Sequence, residues 1–203
     1  MENVLFKISF PAEFHAQTAA EAGMTLHTRL GQAGKSVENI REITIRTHEA
    51  AIRIIDKKGP LNNPADHDHC IQYMIAVPLI FGRLTAADYE DAVAQDPRID
   101  VLRAKMTFVE DPQYTKDYHD SEKGLIANAL TVEFDDSSTL DEIAVKYPIG
   151  HKRRPTRALR CSSRSSGRTS RTVFRRSSNR RSSRYRWIRQ SWKRCRSMTS
   201  ICT

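Results

Sequence analysis

Charge is absent from residues 71 to 81, IQYMIAVPLIF, and that gap in the polar pattern is the stretch the rest of the chain is arranged around. A run this short cannot cross a bilayer, which takes roughly 20 apolar residues. It predicts a helix buried on every side. Asp66 and Asp68 are placed to accept from the orphan N–H groups of a first turn near His69, Pro78 to kink the interior, and Gly82 to supply a left-handed exit.

Upstream, Val4 to Phe10 reads as a short strand ending at Pro11. A helix over Phe14 to Leu30 follows, with Ala16, Ala19, Ala20, Gly23, Leu26 and Leu30 on one stripe and Gly31 and Gly34 as stops. Ile43 and Ile45 alternate with Thr44 and Arg46, so Ile40 to Thr47 is a strand. Ala50 to Ile55 forms a short helix before Lys57, Lys58 and Gly59. Beyond the buried helix, Thr85 and Asp88 make a capping box for a helix over Ala86 to Gln95, and Pro97 opens another through Ala104. Thr107 to Glu110 is a strand and Asp111 to Lys123 a polar loop. Leu130, Val132 and Phe134 alternate with polar residues, a DDSS turn follows, and Ile143, Val145 and Tyr147 alternate again, which is a hairpin. Helices and strands are mixed without a regular βαβ rhythm, so the fold class is α+β.

Composition divides the chain in two. The net charge of +9 conceals a body, residues 1 to 150, with 15 Lys/Arg against 24 Asp/Glu, and an ending, residues 151 to 203, with 18 Lys/Arg and no acid. Cysteine divides the same way, Cys70 alone in the body and Cys161, Cys195 and Cys202 in the tail, which excludes a disulfide framework and fits a reducing compartment. The start, MENVLFKISFPAEF, has no basic n-region and no small-residue cleavage site, so the expectation is a cytoplasmic protein with no membrane span.

The segments DHCIQYMIAVPLIFGRLTAADYEDAVAQDPRID, MENVLFKISFPAEFHAQTAAEA, ITIRTHEAAIRIIDKKGPLNNPADHDHC, VEDPQYTKDYHDSEKGLIANALTVEF and YPIGHKRR together resemble the C-terminal domain of the MmgE/PrpD superfamily. The likeness covers about residues 1 to 154. It implies a smaller, lid-like α+β domain, residues 1–154, that packs on a larger all-helical N-terminal domain missing from this sequence. Met1 matches an interior methionine of the family, which makes the chain a C-terminal piece. The implied activity is removal of water from a tricarboxylate such as 2-methylcitrate, with no metal, iron–sulfur cluster or other cofactor. Most acid–base residues are expected on the helical domain, and a homodimer is an open assembly because family members are often dimers.

The resemblance also supplies site candidates. Lys7 matches a lysine placed toward the substrate, although a solvated lysine at a strand end looks the same. Tyr73 matches a tyrosine pointing into the cleft; the alternative is a core tyrosine with a satisfied hydroxyl. His69 either donates to a substrate carboxylate or caps its own helix. His151 lies near the domain interface or is an ordinary hinge residue, and Lys57 with Lys58 would attract an anion unless merely solvated. Asp66, His67, Asp68, His69 and Cys70 lack the spacing of a structural zinc centre. Cys70 has no evident base partner and is expected to be buried and inert.

Residues 155–203 form an Arg/Ser-rich tail with almost no aliphatic residues, expected to be disordered on its own. As an evolved arm it would neutralise phosphates and stack bases on Tyr185, Trp187 and Trp192. Arg/Ser runs with stray Cys and Trp are also what GC-rich coding DNA yields in a wrong frame. Suitable codons for residues 160 to 166 read one base earlier as ALLVEKF, and from Trp192 on that frame admits KLEAMPVNDFDLY. Both strings resemble the family's C-terminus, so a frameshifted ending is the expectation and nucleic acid an improbable partner.

Overall fold

Strand β1 (Ile40–Thr47) sends Ile43, Ile45 and Thr47 inward and Thr44 and Arg46 outward, as its alternation requires. It is an inner strand of a four-stranded sheet in a computed structural model that describes residues 10–151, 153 and 154. β2 (Met106–Glu110) runs parallel to it, with Ile45 opposite Phe108. β3 (Asn128–Phe134) runs antiparallel, with Ile45 opposite Leu130. β4 (Thr139–Val145) closes the order β2-β1-β3-β4. The α+β class stands, and its hairpin turns through Ser137 at φ 62°. The strand expected over Val4 to Phe10 lies outside the described residues except for Phe10, and so does the tail from residue 155.

Two helices make the core over this sheet. A 3-10 turn (Phe14–Ala16) leads into α1 (Gln17–Gln32), which packs along α4 (Ile71–Phe81) and against β3 and β4. Every residue of α4 from Ile71 to Leu79 is buried, so the uncharged run is a helix enclosed on all sides. The two helices meet closely at Gly23, where a Cβ would lie 3.1 Å from both the Ile75 carbonyl oxygen and the Pro78 ring. Gly82 ends α4 at φ 67°, and a Cβ there would also press on the His27 ring at 2.8 Å. Its φ and its neighbour both call for glycine.

The connection from β1 to β2 carries α2 (Glu49–Ile55), α3 (Pro64–Asp68), α4, α5 (Asp91–Ala94) and α6 (Pro97–Ala104). Here the structure corrects several boundaries. Asp66 and Asp68 belong to α3, which is capped by Asn63 accepting from the Asp66 N–H at 3.0 Å, and α4 starts at Cys70 with no side-chain cap. The Thr85–Asp88 capping box forms, but the expected helix is divided into a 3-10 turn (Ala86–Tyr89) and α5 by an extended Glu90. At this break the segment's carbonyls meet side chains from outside it: Tyr73 Oη donates to the Asp88 oxygen at 2.5 Å, and the His67 ring sits 3.3 Å from the Tyr89 oxygen.

The loop expected over Asp111 to Lys123 is instead α7 (Pro112–His119). Asp111 accepts from the N–H groups of Gln113 and Tyr114 while Pro112 occupies the first helical position. Helix α1 also runs through Gly31 and stops at Gly34, φ 64°. Among the described residues no helix is long and apolar enough to cross a membrane.

Candidate functional site

Three elements converge at the entrance of α1. The 3-10 turn brings His15, the end of β1 passes into His48, and the last turn of α7 carries Tyr118. The Glu13 carboxylate accepts from the His15 backbone N–H at 2.7 Å and faces His15 Nδ1 at 3.0 and 3.1 Å. His15 Nε2 lies 3.1 Å from Tyr118 Oη. Because a carboxylate can only accept, Nδ1 carries a proton, and in the neutral ring Nε2 is left to accept from the phenol. The Tyr118 ring stacks on His48 with centroids 4.5 Å apart and 20° between planes, and His15 lies 5.3 Å from His48. Asn128 holds the turn from below, its Nδ2 donating to the His15 carbonyl and to Thr18 Oγ1.

The electrostatics of this group are uneven. His48 is fully buried, and burial first, then the neighbouring His15, drives its pKa down to about 4. Its Nε2 has no hydrogen-bond partner among the described residues. Burial alone would push the Glu13 carboxyl up, but the His15 hydrogen bonds and charge together outweigh it and hold Glu13 below its ordinary value.

A second region is a cleft of about 500 Å³ lined by Lys57, Lys58, Gly59, Gln72, Asp100 and Arg103. Each cation there already faces an acid: Lys57 bonds Asp66 at 3.2 Å, Lys58 lies 3.8 Å from Asp56, and Arg103 bridges Asp100 and the Gly59 carbonyl. The Asn62 N–H first and then Lys57 hold the Asp66 carboxyl below its usual range.

The residues expected from sequence are spread through the fold. Lys7 lies outside the described residues. Lys57 lines the cleft. His69 sits at the C-terminal end of α3, its ring 3.1 Å from the Ala65 carbonyl and otherwise exposed. Tyr73 is inside α4, its hydroxyl donated to Asp88 and its ring stacked between His67 and Tyr89; burial pushes its pKa up from the usual phenol value. His151 is buried and stacked on Tyr147 at 4.5 Å, with Nδ1 accepting from the Arg153 N–H. Next to it Arg154 clasps Glu21 of α1 and the Tyr147 carbonyl. Cys70 is buried with its thiol on Gln72 Oε1, and burial raises its pKa. Among the described residues no three His, Cys, Asp or Glu side chains are grouped to hold a metal. Glu13, His15, His48 and Tyr118 escaped sequence reasoning because no spacing links residues 13, 48 and 118; only the topology does.

The family profile described as the MmgE/PrpD C-terminal domain matches residues 10–160, which include both regions. The chain belongs to the MmgE/PrpD family. It is 70% identical over 154 residues to 2-methylcitrate dehydratase of Escherichia coli (strain K12), covering 76% of this chain and 32% of that one. It is 69% identical over 154 residues to the protein of that name from Cupriavidus necator, covering 76% and 32%. To the mitochondrial 2-methylcitrate dehydratase of Yarrowia lipolytica it is 62% identical over 154 residues, covering 76% and 30%. The chain thus spans about a third of the length of the curated relatives it matches.

Proposed function

We propose that this chain supplies the lid-type, C-terminal part of a 2-methylcitrate dehydratase, a hydro-lyase of propionate breakdown that converts 2-methylcitrate to 2-methyl-cis-aconitate. The observation that carries the reading is 70% identity over 154 residues, 76% of this chain, to a protein of that name. Such a dehydration needs a base for the proton beside a carboxylate, cations or donors for the developing enolate charge, and an acid for the departing hydroxyl.

In this reading Lys57 and His69 bind the tricarboxylate from the α3 side, His151 stands near the junction with a helical domain, and Lys7 and Tyr73 contribute to the chemistry. Tyr73 would have to release the Asp88 carbonyl to reach a ligand. No cofactor is invoked, the cytoplasm is the expected location, and a homodimer is an open assembly.

The reading makes the helical domain an obligatory partner, because its acid–base residues are not among these 203. Dehydration of 2-methylcitrate, followed by absorbance of the unsaturated product, is expected to be negligible for the chain alone and to rise when a helical domain from a relative is added. No rise on addition would refute it.

A further inference from the structure

We infer that Glu13, His15 and Tyr118 form a proton-transfer chain whose last member, the Tyr118 hydroxyl, acts as a base toward the bound ligand. The inference rests on the dehydratase reading for the identity of that ligand, a tricarboxylate, and on geometry for everything else. The proton on Tyr118 Oη passes to His15 Nε2, 3.1 Å away. His15, already protonated at Nδ1, becomes an imidazolium whose charge the Glu13 carboxylate offsets at 3.0 Å. The phenolate so formed takes the proton from the carbon beside a substrate carboxylate, leaving the electron pair on the substrate. Proton count and charge balance without another reactant.

Three features distinguish this from a tie that merely joins α1 to α7. The group has a fixed polarity: Glu13 sets the His15 tautomer, and His15 is buried between two half-buried partners, Glu13 on its Nδ1 side and Tyr118 on its Nε2 side. The ring beneath, His48, stays neutral down to about pH 4, so it adds no positive charge beside the imidazolium. His48 Nε2 is also a buried ring nitrogen with no hydrogen-bond partner among the described residues, in the ring on which the phenol stacks.

The test uses the full 203-residue chain and needs no turnover, so its result is separate from the dehydration assay that tests the reading beneath it. Acetylation of tyrosines by N-acetylimidazole is followed site by site with peptide mass spectrometry, with Tyr147 as internal reference. Tyr118 is expected to react fastest, and Glu13→Gln and His15→Asn are each expected to slow it roughly tenfold, a modest case of losing a general base, without changing Tyr147. An unchanged Tyr118 rate in a folded Glu13→Gln chain overturns the inference. Histidine-labelled NMR of the unsubstituted chain guards against variants that fail to fold: His15 protonated on Nδ1 with a bare Nε2 supports the proton chain, and the opposite tautomer overturns it.

Discussion

Helix α4 is buried from Ile71 to Leu79, and the cluster around His48 has a buried centre between half-buried Glu13 and Tyr118; the two are filled differently. From Ile71 to Leu79 the helix presents almost only hydrocarbon, and its one hydroxyl, on Tyr73, has the Asp88 carbonyl. The other region packs two imidazoles, a phenol and a carboxylate together and leaves His48 Nε2 and Asn128 Oδ1 without hydrogen bonds among the described residues. Interiors tolerate unsatisfied polar atoms poorly, so the two regions contribute unequally: α1 and α4 hold the domain together, and the polar end carries buried groups that packing leaves unsatisfied.

The contrast breaks most severely at the helix contact. Gly23→Leu would drive a side chain against the Ile75 carbonyl and the Pro78 ring, neither of which can rotate away. Overpacking of this kind is expected to cost ~3 kcal/mol or more, read as a lower denaturant midpoint.

Next in size is the polar end itself, through pH. The folded pKa of His48, about 4, lies below its ordinary 6.5, so the unfolded chain takes up the proton first as pH falls. The contribution is complete above pH 6.5, is lost progressively down to pH 4, and changes no further below that, a total of ~3 kcal/mol. Glu13, held low, adds its own loss only below the usual carboxylate range. Urea melts between pH 7 and 4 are expected to show the decline, and His48→Phe to flatten it. An equal decline in the variant would assign it elsewhere.

Smaller again is Gly82→Ala, expected to cost ~2 kcal/mol because an alanine at φ 67° is strained and its Cβ meets the His27 ring. Tyr73→Phe is the mildest, about 1 kcal/mol in thermal unfolding, since it leaves the Asp88 carbonyl buried without its donor.

The regular part of this architecture was legible because apolar periodicity reports it. Ile71–Phe81, Ile40–Thr47 and the hairpin stand where alternation and charge gaps place them, and Gly82 ends its helix as its residue type suggests. α7 was missed because it buries only Tyr114 among eight residues, so the Asp111–Pro112 start signal had no apolar stripe behind it. At the break near Glu90, Tyr73 and His67 reach carbonyls 15 and 22 residues away, contacts that no local pattern records. The same limit applies to chemistry. Tyr73 drew notice through a resemblance and Lys57 and His69 through their residue types, whereas His15 and Tyr118, 103 residues apart, meet only once the sheet is assembled.

The most direct measurement of the central claim is 2-methylcitrate dehydration by the purified chain, alone and after mixing with a separately expressed helical domain of a close relative. A lid that provides half a site predicts background rates alone and a large, saturable gain on mixing. Full rates from the chain alone would contradict it.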